Sequence, residues 1–183
     1  MISSSQLIKN LCFIQSRIRS AAHQSGRNED EITLVAVTKT FSLEIWNKAL
    51  EQNLFTIGEN RVQETEIKAK HFKHRQKIEL HLIGHLQNNK VRKAVKIFDI
   101  IQTIDSIKLL DRINRASKEE NKNQKIFLQI NTGEDPNKFG FTKQNTFTAA
   151  ERSTELQNIT LQGIMTIPPQ NITEEKLVKI YEK

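Results

Sequence analysis

The sequence has few of the residues that mark secreted or membrane-spanning proteins. Its 183 residues include one cysteine, Cys12, so no disulfide can form within the chain. No apolar run approaches the roughly 20 residues of a transmembrane helix. The N-terminal region also lacks the apolar core of a signal peptide. We therefore predict a cytoplasmic protein in a reducing compartment, with no membrane partner.

The start of the chain has helical apolar spacing. Leu7, Leu11, Ile14 and Ile18 recur on one face of an amphipathic helix. Cys12 falls within this pattern, and we predict that it is a small core residue.

Aromatic residues are scarce, at 6% of the chain, although the charge balance is basic. Lysine and arginine number 28 against 21 acidic residues, a formal net charge of +7. Such an excess is compatible with a nucleic-acid-binding module. However, the basic residues are scattered among acidic ones and have little aromatic interleaving for base stacking. We therefore predict a solvated basic surface and no nucleic-acid partner.

Short apolar stretches alternate with amphipathic stretches from residue 32 onward. The apolar stretches predict strands at 32–39, 54–60, 78–85, 99–105, 125–131 and 159–167. The stretches between and after them predict helices at 42–50, 61–76, 88–98, 106–121, 142–156 and 173–183, with Ser42 and Ser106 as N-caps. The first strand is almost continuously apolar, which is typical of a strand buried on both faces. This alternation predicts an α/β protein with a parallel sheet covered by helices.

A glycine-rich turn is missing after the first strand, where the sequence reads "TKTFS". Two architectures contain repeated βα units, the doubly wound sheet and the (β/α)8 barrel. The missing glycines weaken the dinucleotide-binding version of the doubly wound sheet. A barrel places functional residues at the C-terminal ends of several strands. Polar groups follow most of the predicted strands, as a barrel with a ligand site requires.

Lys39 stands at the end of the first apolar stretch, "LVAVTKT". An amine partly desolvated at a barrel mouth has a lowered pKa and can attack an aldehyde. Alternatively, Lys39 extends its ammonium from the strand end into solvent. The position alone leaves both interpretations open.

Five segments together resemble a known family. They read "AVTKT", "GENRVQE", "HLIGHLQNNK", "QIN…KFGF" and "GIMTIPP". Their order and spacing resemble the pyridoxal-phosphate homeostasis proteins from about residue 5 to the end. This resemblance implies a (β/α)8 TIM-type barrel of the alanine racemase N-terminal type, with about six βα units present. It also implies that pyridoxal 5'-phosphate (PLP) is held as a Schiff base on Lys39.

The same resemblance suggests further cofactor-side residues, each with a structural alternative. Asn60 is either near the cofactor or a helix cap with Gln63. His85 lies beyond the third strand, and we expect it beside the cofactor rather than in a metal site. Lys138 is a surface charge or a lid lysine at the cofactor rim. The resemblance places Met165 and Thr166 beside the cofactor, although Met165 would also suit the core.

The family resemblance implies a PLP carrier rather than a dedicated enzyme, and we expect PLP-dependent apoenzymes to receive the cofactor. The alternative, a racemase-like enzyme, needs a second acid/base group, and the chain has one tyrosine, Tyr181. We expect residues 1–183 to form a single domain that is a monomer or a weak dimer. We also expect this barrel to be C-terminally incomplete, because eight βα units usually need roughly 200 residues or more.

Overall fold

The computed structural model describes residues 3–169 and 172–182. Within them, six strands form one sheet: β1 (Ala36–Val37), β2 (Thr56–Glu59), β3 (Glu79–Leu82), β4 (Ile100–Ile104), β5 (Gln124–Ile130) and β6 (Ile159–Thr166). The strands lie in sequence order, and every neighbouring pair is parallel. A doubly wound sheet reverses its strand order at a switch point, whereas a barrel does not. The predicted α/β fold with barrel-type strand order is confirmed.

Helices precede, connect and follow the strands. They are α1 (Ser4–Gln24), α2 (Glu44–Glu51), α3 (Val62–His71), α4 (Val91–Ile97), α5 (Ile107–Glu119), α6 (Lys143–Thr154) and α7 (Glu174–Tyr181). Short 3-10 turns occupy Glu29–Glu31, Arg75–Lys77 and Asn88–Lys90. Ser106 caps α5 as predicted, because its hydroxyl accepts a hydrogen bond from the Leu109 amide. In the part of the chain that the structure describes, no helix is both long and apolar enough to cross a membrane.

The main core lies between the helices and one face of the sheet. Alternate strand residues are fully buried there, including Ile57, Leu80, Leu82, Ile101, Ile126 and Leu128. Trp46 from α2 and Leu110 from α5 meet them from the helical layer. Full burial of each such side chain contributes about 1.5–3 kcal/mol relative to leaving it exposed, so this layer is a main source of stability.

The opposite face of the sheet is more polar. His81 joins Gln102 on β4, with 2.6 Å between Nδ1 and the amide nitrogen, and lies 3.1 Å from a Glu79 carboxylate oxygen. Because side chains alternate along a strand, these residues face away from the helix-covered core. In a barrel this face is the interior.

The first strand is shorter and more exposed than its composition predicts. Only Ala36–Val37 form β1, not the whole of 32–39, and Val37 is 49% exposed. Among the described residues, β1 pairs with β2 alone. The prediction of burial on both faces is wrong: Ala36 packs against the core, whereas Val37 points to the opposite face of the sheet and is half exposed.

One long helix does not run through 61–76 as predicted. α3 ends at His71, and Phe72 leaves it with extended backbone. The Phe72 ring packs edge-on against Trp46, with centroids 5.3 Å apart. Burying such a ring contributes about 1.5–3 kcal/mol, which favours the break over another polar helical turn.

Two further predictions from the sequence are wrong. Ser42 does not cap α2, because Leu43 holds the N-cap position and the Ser42 hydroxyl donates to the Glu44 carboxylate instead. Cys12 is exposed rather than in the core. The buried residues of α1 are Leu11 and Ala22, and Cys12 is rotated about 100° from Leu11 around the helix axis.

Candidate functional site

Lys39, Asn60 and His85 follow three neighbouring strands at the same edge of the sheet. Val37 on β1 is aligned with Gly58 on β2, and Gly58 with His81 on β3. Lys39 and Asn60 therefore stand two residues past an aligned pair, and His85 follows β3 at the same end. The C-terminal ends of parallel strands form the ligand-binding face of this fold class.

The chain turns sharply at Lys39. Thr38, immediately before it, is buried, whereas Lys39 itself is exposed. Thr40, immediately after it, has a φ of 69°, which a β-branched residue seldom adopts. The Lys39 amine is therefore accessible on a backbone that is constrained on both sides.

A buried polar cluster lies beneath this turn. It consists of Thr38, Trp46, Glu59 and Lys68, and we call it the Glu59 cluster. Glu59 Oε1 accepts three hydrogen bonds: from the Thr38 hydroxyl at 2.7 Å, the Lys68 ammonium at 2.7 Å and the Trp46 indole at 3.2 Å. Lys68 Nζ also donates to the Thr38 carbonyl at 3.2 Å. The cluster joins α2, α3 and the ends of β1 and β2.

Asn60 does not act as a helix cap. The N-cap position of α3 is Arg61, and no side chain makes a capping hydrogen bond there. Asn60 Oδ1 is buried and has no hydrogen-bond partner among the described residues. A buried amide oxygen without a partner is costly, so it is a candidate ligand contact. The backbone of Asn60 also touches Gly84, where an added Cβ would lie 2.2 Å from the Asn60 carbonyl oxygen.

His85 lies between an acidic and an aromatic residue. Its Nδ1 is 3.0 Å from Asp105 Oδ2 at the end of β4. That oxygen is buried and makes no hydrogen bond within the described residues, so this close contact does not have the geometry of a hydrogen bond. On its other side, the His85 ring stacks on Phe139, with centroids 3.7 Å apart and an interplanar angle of 11°.

Lys138 lies on the loop that follows β5. Its ammonium donates to the Pro168 carbonyl at 3.1 Å, which connects this loop to the segment after β6. Asn131 closes the base of the loop by donating to the Asp135 carbonyl at 2.7 Å. Gly140 ends the loop with a φ of 129°, and a Cβ there would lie 2.7 Å from the Asn131 amide nitrogen. Lys138, expected either as a surface charge or as a lid lysine at the cofactor rim, therefore bonds to a protein carbonyl and links the segments that follow β5 and β6.

Met165 and Thr166 end β6 at the same edge. The Thr166 hydroxyl lies 2.7 Å from that of Thr132 and 3.0 Å from the Ile130 carbonyl. Its hydrogen bonding is therefore directed at the end of β5. Met165 is aligned with Gln129 on β5 and is partly exposed. These residues form a second group with Lys138, and the His85–Phe139 stack joins the two groups.

Sequence reasoning missed four residues of this region: Glu59, Lys68, Asp105 and Phe139. Glu59 had a usable signal, since it is an acidic residue within a short apolar strand. Lys68 had none, because it stands on a polar helix among other lysines and histidines. In the described ranges 3–169 and 172–182, no group of three potential metal ligands comes together.

Comparison with known proteins agrees with this geometry. Residues 10–179 match the family described as alanine racemase, N-terminal domain, which defines the class of barrel. The pyridoxal phosphate homeostasis protein of Vibrio alginolyticus is 34% identical over 182 residues, covering 98% of this chain and 78% of the relative. The chain belongs to the family of pyridoxal phosphate homeostasis proteins. The resemblance carried by the five sequence segments is therefore confirmed.

Solved structures of other proteins share the fold, among them the following two. A protein from Bifidobacterium adolescentis, described only as an unknown protein, has a TM-score of 0.92 at 28% identity, covering 99% of this chain and 78% of that one. PipY of Synechococcus elongatus, solved with PLP bound, has a TM-score of 0.78 at 28% identity, covering 90% of this chain and 76% of PipY.

Proposed function

We propose that this protein binds PLP as a Schiff base on Lys39 and takes part in the intracellular homeostasis and supply of the cofactor. The naming of the Vibrio alginolyticus relative and the PLP bound to PipY support this proposal. The observation that carries it furthest is the exposed Lys39 amine, which stands at the strand-end face directly above the buried Glu59 cluster.

The residues at this face fit such a cofactor. PLP supplies an aldehyde, which condenses with a primary amine. Lys39 offers that amine, and the unpartnered Asn60 Oδ1 offers a hydrogen-bond acceptor nearby. We propose that His85 and Lys138 meet polar parts of the cofactor, and that Met165 and Thr166 border it from β6. To contact the cofactor, the Lys138 ammonium would give up its hydrogen bond to the Pro168 carbonyl.

We propose that the role is that of a carrier rather than an enzyme. PLP-dependent racemisation needs a second acid/base group opposite the Schiff-base lysine. The one tyrosine of the chain, Tyr181, is exposed on α7. We further propose that residues 1–183 act as one cofactor-binding unit in the cytoplasm, as a monomer or weak dimer, and that PLP-dependent apoenzymes receive the cofactor.

A visible-absorption titration tests the proposal. Adding PLP to the purified protein should produce a saturable Schiff-base band at one equivalent. Lys39→Ala should abolish this band, and Lys143→Ala should leave it unchanged, since Lys143 is an exposed lysine at the start of α6. An equal, non-saturating band in all three proteins would contradict the proposal, because it would reflect scattered reaction of surface lysines.

A further inference from the structure

The ion pair of the Glu59 cluster is almost completely removed from solvent. The Lys68 and Glu59 side chains are 10% and 0% exposed, and 2.7 Å separates Lys68 Nζ from Glu59 Oε1. Lys68 Nζ also lies 5.7 Å from the centroid of the Trp46 ring. Desolvating two charges is expensive, and such pairs often stabilise a fold no more than apolar residues of the same shape. Stability alone therefore does not explain a buried ion pair at this position.

The Glu59–Lys68 ion pair holds Thr38, the residue before Lys39, in place. The Thr38 carbonyl accepts hydrogen bonds from Lys68 Nζ at 3.2 Å and from the Phe41 amide at 3.3 Å. The Thr38 amide donates to the Gly58 carbonyl at 3.0 Å. Its hydroxyl donates to Glu59 and accepts from the Trp46 indole at 3.0 Å. Thr38 therefore makes hydrogen bonds through its amide, its carbonyl and its side chain.

We infer that Glu59 and Lys68 are positioning residues for Lys39: they fix the backbone from which its amine reacts with PLP, without touching the cofactor. The inference rests on the proposed function. Fixing the backbone that carries a reacting side chain removes, before the reaction, motions that would otherwise be lost when the bond forms. Releasing the Thr38 carbonyl should therefore weaken the Schiff base even in a protein that folds normally.

Glu59 and Lys68 cannot be tested one at a time without ambiguity. Lys68→Met leaves the Glu59 carboxylate buried without its cation, which should destabilise the fold. The double variant Glu59→Gln/Lys68→Met removes both charges while keeping side chains of similar size. Lys70→Met is the matched control, because Lys70 is an exposed lysine on the same helix. Trp46, the one tryptophan of the chain, reports unfolding by its fluorescence.

The experiment compares thermal unfolding, Schiff-base affinity and the pH profile of the Schiff-base band in these proteins. We expect the double variant to recover the unfolding temperature lost in Lys68→Met. Its PLP affinity should nevertheless stay weaker by about tenfold, the loss expected for a hydrogen bond to a charged group, and its pH profile should shift. Lys70→Met should match the wild type in all three measurements.

If the double variant does not fold, Thr38→Val decides the question by the same comparison. Valine keeps the shape of threonine but removes the hydroxyl that joins Glu59 and Trp46. A folded Thr38→Val or double variant with wild-type affinity and pH profile would overturn the inference while leaving the proposed function intact. Absence of a Lys39 Schiff base in the wild-type protein would overturn both.

Discussion

His85 and Phe139 stack face to face across the strand-end face of the sheet, with ring centroids 3.7 Å apart. His85 follows β3, whereas Phe139 belongs to the loop after β5 that carries Lys138. The stack therefore joins the half of the face that contains Lys39 and Asn60 to the half that contains Lys138, Met165 and Thr166. Aromatic stacking of this kind contributes about 0.5–1.5 kcal/mol beyond the burial of the rings.

Removing the stack should loosen the loop between β5 and α6. We expect Phe139→Ala to speed proteolytic cleavage within residues 131–140 several-fold, because about 0.5–1.5 kcal/mol of ring contact is lost. PLP retention should also fall in Phe139→Ala, because the loosened loop carries Lys138, which lies next to Phe139. Phe147→Ala is the control, since Phe147 is an exposed phenylalanine on α6. Equal cleavage rates in the two variants would show that the stack does not hold the loop.

Asn60→Ala tests the buried oxygen without a partner. We expect cofactor affinity to fall by about 1 kcal/mol, the usual contribution of one hydrogen bond. Helical content should stay unchanged, because Asn60 makes no capping hydrogen bond to α3. Titration with PLP and far-UV circular dichroism measure the two quantities. The exposed Asn89→Ala is the control. A loss of helical content with unchanged PLP affinity would instead indicate that Asn60 supports α3 as a cap.

Gly84→Ala tests the close contact between β2 and β3 at the same face. A Cβ at Gly84 would lie 2.2 Å from the Asn60 carbonyl oxygen, a backbone atom that has little freedom to move. We expect destabilisation of about 1–3 kcal/mol from overpacking, together with weaker PLP binding. Gly163→Ala is a matched control on β6, because nothing lies within 4 Å of its added Cβ. Similar unfolding free energies for the two variants would contradict this contact.

Lys122 lies at the opposite end of the barrel and makes the free energy of unfolding depend on pH. Burial lowers the pKa of its ammonium, which donates to the Val95 and Phe98 carbonyls at 2.7 and 2.6 Å. Between this lowered pKa and the ordinary value of about 10.4, the unfolded chain binds more protons than the folded protein. The free energy of unfolding therefore rises with pH across that window.

Urea unfolding from neutral pH to about pH 10 checks this sign, using Lys122→Met as the reference protein. The wild type should gain stability relative to the variant as the pH rises. A constant difference would show that burial does not disfavour the Lys122 ammonium.

The fold could be predicted from the sequence because each βα unit carries its own periodicity. The shared position of Lys39, Asn60 and His85 also followed, since the ends of parallel strands meet at one edge. The Glu59–Lys68 pair could not be predicted, because a lysine on a polar helix normally lies in solvent. The short β1 and the exposed Cys12 depend on which neighbours cover them, and local sequence does not contain that information. The Phe139 stack depends on a loop conformation set by contacts with distant residues.

The most direct measurement is the site of covalent attachment. The protein is incubated with PLP at one equivalent, reduced with borohydride, digested and mapped by mass spectrometry. We expect the pyridoxyl label on Lys39, and no comparable label elsewhere in Lys39→Ala. A label distributed over exposed lysines such as Lys70 and Lys143, unchanged by Lys39→Ala, would contradict the role proposed for Lys39.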